Sequence, residues 1–465
     1  MLTSDHAAPI DLPGRVETRG IDLVPDGERH GRPRELFWVW LSANITYLYF
    51  VLGGTMLLLG LSLWQALAVV VAGNLCWLGV GALAVSGPPA GSPSVVVTRA
   101  MFGVRGNRLL SAGVGWLVAV AYEGVNLALG SLAGFALAEQ LGLTATLPVK
   151  IAIVVAVAVA TFSLSIYGHA TIARVSPVVS GVLALFIVLL GVFVVGRADT
   201  GYQPQTPLHG TALIAAVGVG LTIIASVPLS WGTGADYSRY LPRDTSRSRV
   251  LWYTALGGLT PAVLIGALGV LAGTRIDMSD PQTAVAALVP GWFYPLFLLV
   301  VVLGSITNNV LTAYSSAFCL QALGVRASRA RTVLIDAAVG GAIAAYALFA
   351  ARFLDTLSTV LEFTVTFLGP SMAIYVADIL LRRNRYDGPA LHDETRGGPF
   401  WYDGGVNLAG LAAMVLGTAA ALLCVTTTVW TGPVAAALGG TDLAWLAGPV
   451  VAALTYVLVA RRYRA

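Results

Sequence analysis

Tyr122, Glu123 and Asn126 stand close together in an otherwise apolar run, Trp116-Leu-Val-Ala-Val-Ala-Tyr-Glu-Gly-Val-Asn126. On a helix, at about 100° per residue, the three side chains fall within about 100° of circumference. One face then offers an aromatic plane, an amide and a carboxylate, a set able to stack on a flat heterocycle and bond its polar edge. A carboxylate inside a membrane costs several kcal/mol unless it faces a cavity or a partner, so Glu123 either serves a site or pairs with a neighbouring helix. A second group, Ser305, Thr307, Asn308, Asn309 and Thr312, stacks hydroxyls and amides in another apolar run. Such groups either bond between helices for modest gain or, through Thr307 and Ser305, give hard oxygens to a small cation such as Na⁺. The third group is Trp231, flanked by Ser226 and Ser230. Offset stacking on its ring is worth about 0.5–1.5 kcal/mol beyond burial, and discrimination falls to groups whose hydrogen bonds must be met.

The elements that carry these residues are membrane spans. The chain has 465 residues, 57% hydrophobic and 11% charged, against about 25% charged for a soluble domain. The polar opening, residues 1–35, has no cleavable-signal pattern. Cys76, Cys319 and Cys424 lie apart in apolar runs, as small core side chains rather than a disulfide or metal set. Apolar runs predict twelve spans near 36–59, 64–87, 109–138, 147–168, 174–196, 209–236, 250–273, 290–321, 332–351, 355–381, 405–430 and 442–460. Residues 281–289 are expected as a short outer helix or re-entrant segment. The first span has Asn44, Thr46, Gly53 and Gly54 in its middle; the sixth has Val227-Pro-Leu-Ser-Trp-Gly-Thr-Gly234. Paired interruptions in corresponding positions of two halves point to an inverted repeat with its binding site at the breaks. The domain expectation is a tail over 1–35, five-helix repeats over 36–200 and 201–385, and a connection with two further helices over 386–465.

Of the 27 basic residues, 23 fall in the tail, alternate connections and the C-terminus, and four (Lys150, Arg197, Arg275, Arg352) fall on the other side. The positive-inside rule then sets both termini in the cytoplasm and requires an even number of crossings. Asp236 near Arg239 reads as an ion pair or gate at a span end, and Asp336, Glu362 and Asp378 as solvated or paired groups near span ends. All five histidines fall in tails or loops. No HExxH, GxSxG or P-loop motif is present, so no enzyme is expected.

The stretches WLSANITYLYFVLGGTMLLLGLSLWQAL (40–67), RAMFGVRGN (99–107), YEGVNLALG (122–130), ADYSRYLP (235–242), TNNVLTAYSSAFCLQALG (307–324), ADILLRRNRYDGP (377–389) and FWYDGGVN (400–407) occur in order over almost the whole chain. Together they resemble the nucleobase:cation symporter-1 family, in its purine–cytosine permease branch. The resemblance implies an all-α membrane protein of twelve helices with the LeuT-type inverted repeat, broken helices 1 and 6 and two extra helices. It also implies alternating access and import of a nucleobase or related heterocycle across the cell membrane with Na⁺ or H⁺. No other cofactor and no nucleic acid is expected, and the partners are the small solute and membrane lipid. Position by position, Tyr122 matches the family's third-span aromatic and Asn126 its amide. Thr46, Glu123, Ser230, Trp231, Asn308 and Thr312 complete the expected substrate set. Ser42, Ile45, Leu303 and Thr307 form the expected Na⁺ site. The family's second sodium hydroxyl falls on Ile306, its eighth-span substrate Asn on Thr312, and its sixth-span aromatic nearer Val227 than Trp231. Glu123 has no counterpart in the sodium-coupled members and can receive the amino and ring N–H of cytosine or carry a coupling proton.

Overall fold

A computed structural model describes residues 12–280, 284–350, 364–427 and 430–462, with Leu357, Val360 and Leu361. Among the described residues, ten helices are long and apolar enough to cross a bilayer: α2 (Leu63–Ala90), α3 (Val104–Gln140), α4 (Leu147–Tyr167), α5 (His169–Val195), α6 (Gly210–Ser238), α7 (Arg247–Gly273), α8 (Tyr294–Leu323), α9 (Arg329–Phe349), α10 (Thr364–Leu381) and α12 (Ala444–Arg462). An eleventh crossing, α1, comes in two halves, Pro33–Asn44 and Tyr47–Leu58, bent by 60°. The twelfth, α11 (Leu408–Cys424), has 17 residues, the lower limit of a spanning helix. Chain order then brings both termini to one face, called here the terminal face.

The two halves of the chain interleave. α1 and α2 pack on α6 and α7, while α3 and α4 pack on α8 and α9. This exchange of corresponding pairs is what an inverted repeat produces. α11 and α12 pair with each other, and α12 rests on α10.

The break in α1 is short. Ile45 (ψ 73°) and Thr46 (φ −124°, ψ 144°) leave the helix, and Thr46 caps the second half. Asn44 sits at the break because its amide is used locally: Nδ2 donates to Trp40 O at 2.8 Å and Oδ1 accepts from Tyr49 at 2.9 Å. Gly53 and Gly54, expected within the break, are helical instead. Their lack of a side chain serves close approach: a Cβ would lie 2.0 Å from Gly266 O at Gly53 and 2.0 Å from Met278 Cε at Gly54. In α6 the helix ends at Ser230, just after Pro228, and resumes at Gly234, with Trp231 at ψ 58°. The sixth-span interruption is thus three residues near the end of the expected stretch.

At the terminal face, Glu17 of the tail is buried among α5, the end of α6, α8 and α9. Its Oε1 accepts from Arg239 (2.9 Å), Tyr240 (2.6 Å) and Tyr314 (3.2 Å). Its Oε2 accepts from His169 N (2.9 Å) and lies 3.9 Å from Arg329. Arg239 therefore pairs with Glu17 and not with Asp236, correcting the local ion pair expected from sequence. Asp378 is paired as expected, with Arg382 at 2.9 Å. Asp336 is neither solvated nor salt-bridged: it is fully buried and accepts from Trp116 Nε1 at 2.8 Å. Glu362, Arg352 and Pro281 lie outside the described residues, and Val285–Ala287 forms one 3₁₀ turn. Cys76, Cys319 and Cys424 are free.

Candidate functional site

A cavity begins beside both helix breaks and runs toward the terminal face. Its inner end is walled by Tyr122, Ser230, Trp231, Asn308 and Thr312. The break in α6 exposes Trp231, which is held edge-on by Trp40 at 5.2 Å and 88°. Tyr122 reaches across from α3, and its hydroxyl meets Thr364 at 3.4 Å, where α10 begins in a π-helical turn. Two aromatic rings from opposite halves thus face one space with an amide and hydroxyls between them. Thr233 Oγ1 and Ser316 Oγ also lie in the cavity wall, buried and without a partner among the described residues. A polar solute would satisfy such orphaned groups.

The other expected site residues stand around this space rather than in its wall. Asn126 is one layer behind: its Nδ2 donates to Asn308 Oδ1 at 2.8 Å, and Asn308 Nδ2 donates to Ala43 O at 2.8 Å. The α1 break, α8 and α3 are joined through these two amides. Thr46 lines a separate, small apolar cavity, with Tyr47, Phe186 and Phe297. Glu123 is fully buried and lies outside the cavity wall. It follows Tyr122 by about 100° on the helix, and that rotation turns it to Gly340 of α9, where a Cβ would lie 3.3 Å from its Oε2.

The four residues expected to hold Na⁺ come from the α1 break and α8. Thr307 Oγ1 donates directly to Ser42 O at 3.1 Å, besides Gly304 O at 3.0 Å. The Ile45 carbonyl is pressed on α8, where a Cβ at Gly304 would meet it at 2.6 Å. The side chain of Leu303 is exposed, which leaves its carbonyl as the only possible donor. In this conformation two of the four oxygens bond to each other, and α1 and α8 are in contact.

Sequence reasoning missed the terminal-face end of the cavity. The α2–α3 connection turns inward: Ser94 N donates to Asp236 Oδ1 at 2.7 Å, and Ala235 N donates to Ser94 Oγ at 3.0 Å. Ser94, Thr98, Asp236, Ser316 and Tyr375 line this end. The signal available was the polar set Ser92, Ser94 and Thr98 inside an uncharged, apolar stretch.

The profile of the family described as "Permease for cytosine/purines, uracil, thiamine, allantoin" matches residues 23–448. Among curated proteins, YxlA of Bacillus subtilis (strain 168) is 28% identical, the alignment covering 97% of each chain. The purine-cytosine permease fcyB of Emericella nidulans is 24% identical over 95% of this chain and 88% of its own. Among solved structures, Mhp1, a nucleobase-cation-symport-1 family transporter in a closed conformation with bromovinylhydantoin bound, superposes with a TM-score of 0.73 at 22% identity, covering 98% of this chain and 95% of that one. That likeness shows a shared fold. With the profile spanning nearly the whole sequence, the chain belongs to the permease family for cytosine/purines, uracil, thiamine and allantoin.

Proposed function

We propose that this permease imports a nucleobase, cytosine or a purine, by alternating access, and couples import to Na⁺ or H⁺. The observation that carries the reading is the cavity end between the two breaks, where Tyr122 and Trp231 face a space bounded by Asn308, Thr312 and Ser230. Two aromatic planes grip a flat ring, and the amide and hydroxyls meet its polar edge. The wall has hydrogen-bonding groups but no permanent charge at this end, which suits a neutral heterocycle. Asn308 touches both the cavity and the Ala43 carbonyl. A base that engages it therefore acts on the α1 break, the element whose bend must change for the site to face the other side.

The basic residues support an orientation with both termini in the cytoplasm, 23 of 27 falling in the tail, alternate connections and the C-terminus. One positive charge moving inward with the base gains about 2.3 kcal/mol per 100 mV, enough for roughly fifty-fold accumulation. If Na⁺ is the partner, Ser42, Ile45, Leu303 and Thr307 would hold it once the Thr307 hydroxyl turns from the Ser42 carbonyl. A related heterocycle, such as allantoin, a hydantoin, a pyridoxine-type vitamin or a thiamine precursor, is the second reading, favoured by the breadth of the family and by the hydantoin bound in Mhp1.

The test is counterflow in proteoliposomes preloaded with unlabelled cytosine, adenine or hypoxanthine. Saturable uptake of the labelled base against its gradient is expected, with competition by the other heterocycles ranking the substrates. Absence of counterflow for every base, with exchange of a competitor instead, would replace the nucleobase by that competitor.

A further inference from the structure

Glu123 of α3 and Asp336 of α9 form a buried dicarboxylate that substrate binding does not use. Glu123 is 0% exposed and neither of its carboxyl oxygens has a hydrogen-bond partner. It is packed on Gly340, where a Cβ would lie 3.2 Å from its Cβ and 3.3 Å from its Oε2, and Asp336 stands one turn before Gly340 on the same face of α9. Asp336, also 0% exposed, has its Oδ1 bonded by the Trp116 indole at 2.8 Å and its Oδ2 unbonded. The third member is Ser316 of α8. Its hydroxyl is fully buried, has no hydrogen-bond partner among the described residues and belongs to the cavity wall, on the helix that packs against both α3 and α9.

No cation balances this pair among the described residues. The ionisable neighbours are Tyr122 on α3, Cys319 and Tyr314 on α8, Arg329 on α9 and Asp236 on α6. Arg329 is engaged by the carbonyls of Ser165 and Ile166 and by Glu17, two turns from Asp336. Lys150 of α4 lies over the Phe135 ring, toward the other face. Two adjacent carboxyl groups in a dry, low-dielectric setting cannot both carry charge, and the stable arrangement shares one proton between them. That proton also gives the unbonded oxygens the donor they lack. A metal ion fits poorly, because it needs a shell of oxygens, and the described residues hold no cluster of three or more His, Cys, Asp or Glu side chains.

We propose that Glu123 and Asp336 bind one exchangeable proton, passed through Ser316 to the cavity, and that this pair is the H⁺ site of the transport cycle. The inference rests on the permease reading above. On loading, a hydronium ion in the cavity gives a proton to the Ser316 oxygen and is left as water, while the Ser316 hydroxyl proton bonds to one carboxylate oxygen and is held there in a hydrogen bond to the other carboxylate. On release, the Ser316 oxygen accepts it and gives its own hydroxyl proton to water, leaving the wetted pair with one more negative charge. Coupling to the solute is short-ranged. Tyr122 precedes Glu123, and Asn309, next to Asn308, donates to the Glu123 carbonyl at 2.9 Å.

The experiment compares wild type, Glu123→Gln and Asp336→Asn, each substitution mimicking a protonated carboxyl. Counterflow of cytosine, without a gradient, reports the permease reading alone and should survive in all three. Accumulation is then driven by an inward-acid pH gradient without Na⁺, where each pH unit supports up to about tenfold accumulation. Wild type should accumulate, and both variants should only equilibrate. Independently of any solute, the infrared spectrum of the purified protein should show a carboxylic-acid carbonyl band that Glu123→Gln removes. Accumulation by the variants equal to wild type, response of wild type to a Na⁺ gradient only, or an unchanged band in Glu123→Gln would each overturn the proton site. Loss of counterflow for every base would count against the nucleobase reading, and the infrared comparison would then decide the proton site by itself.

Discussion

Replacing Glu17 by Gln should open the cavity at the terminal face. The Glu17 carboxylate is 2% exposed and ties the tail to α5, α6, α8 and α9. It fits against Gly168, where φ is +87° and a Cβ would fall 2.1 Å from Oε2. Gln keeps one acceptor but places an amide donor among groups that already donate, and it leaves Arg239 without its anion. Breaking a buried ion pair costs about 3–5 kcal/mol. Arg239 retains the Gly20 carbonyl at 2.8 Å and the rings of Phe318 and Tyr240 at 4.6 and 4.9 Å, which places the cost at the lower end, about 3 kcal/mol. If parting these helix ends relieves all of it, the equilibrium shifts by up to about 150-fold toward the open form.

Cys319 reports that shift. It lines the cavity on α8 and is 7% exposed, so a water-soluble maleimide reaches it only when the terminal face opens. The labelling rate in detergent should rise at least about tenfold in Glu17→Gln, a fraction of the full shift. Labelling of Cys76 and Cys424, which lie outside this cavity, should stay unchanged. A Cys319 rate within about twofold of wild type, in a variant that remains monodisperse, would show that the cluster does not hold this face closed.

Three further outcomes follow from other parts of the fold. Gly53→Ala and Gly269→Ala each place a Cβ 2.0 Å from a backbone oxygen of the facing helix. Overpacking of about 1–3 kcal/mol should outweigh the gain in helix propensity and lower the melting temperature, whereas Gly341→Ala, with nothing within 4 Å, should not. Trp231→Ala should weaken base binding about two- to twelvefold, the range of one stacking contact, while Tyr122→Phe, losing only a 3.4 Å contact to Thr364, should change it little in an equilibrium binding assay. His392, in the connection between α10 and α11, is pushed down from 6.5 to about 4, first by burial and then by the Arg99 guanidinium. The unfolded chain binds this proton more readily, so the contribution of His392 is complete above pH 6.5 and lost as pH falls toward 4. The melting temperature should therefore decline over that window, and His392→Gln should flatten the decline.

The spans and both interruptions were legible because they depend on local chemistry: apolar length, and Asn44, Thr46 and Pro228 inside it. Gly53 and Gly54 were misplaced because glycine marks both a broken helix and a close helix crossing. Only the Gly266 backbone across the contact decides between them. Arg239 was assigned to Asp236, three residues away, whereas its partner Glu17 is 222 residues away in the tail. Helical spacing put Tyr122, Glu123 and Asn126 in one arc, but it could not say where in that arc the cavity ends and α9 begins. The cavity takes the Tyr122 side, and Glu123 falls past its edge.

That boundary has a mechanical consequence. Neighbouring positions on α3 and α8 serve two different spaces: Tyr122 and Asn308 wall the cavity, while Glu123 packs on Gly340 of α9 and receives the amide of Asn309 at its carbonyl. A rotation or shift of α3 against α8 that adjusts the grip on a solute must also alter the packing around the dicarboxylate. Coupling then needs no long pathway. It needs only that the two helices move as rigid bodies, because each carries one wall of both spaces.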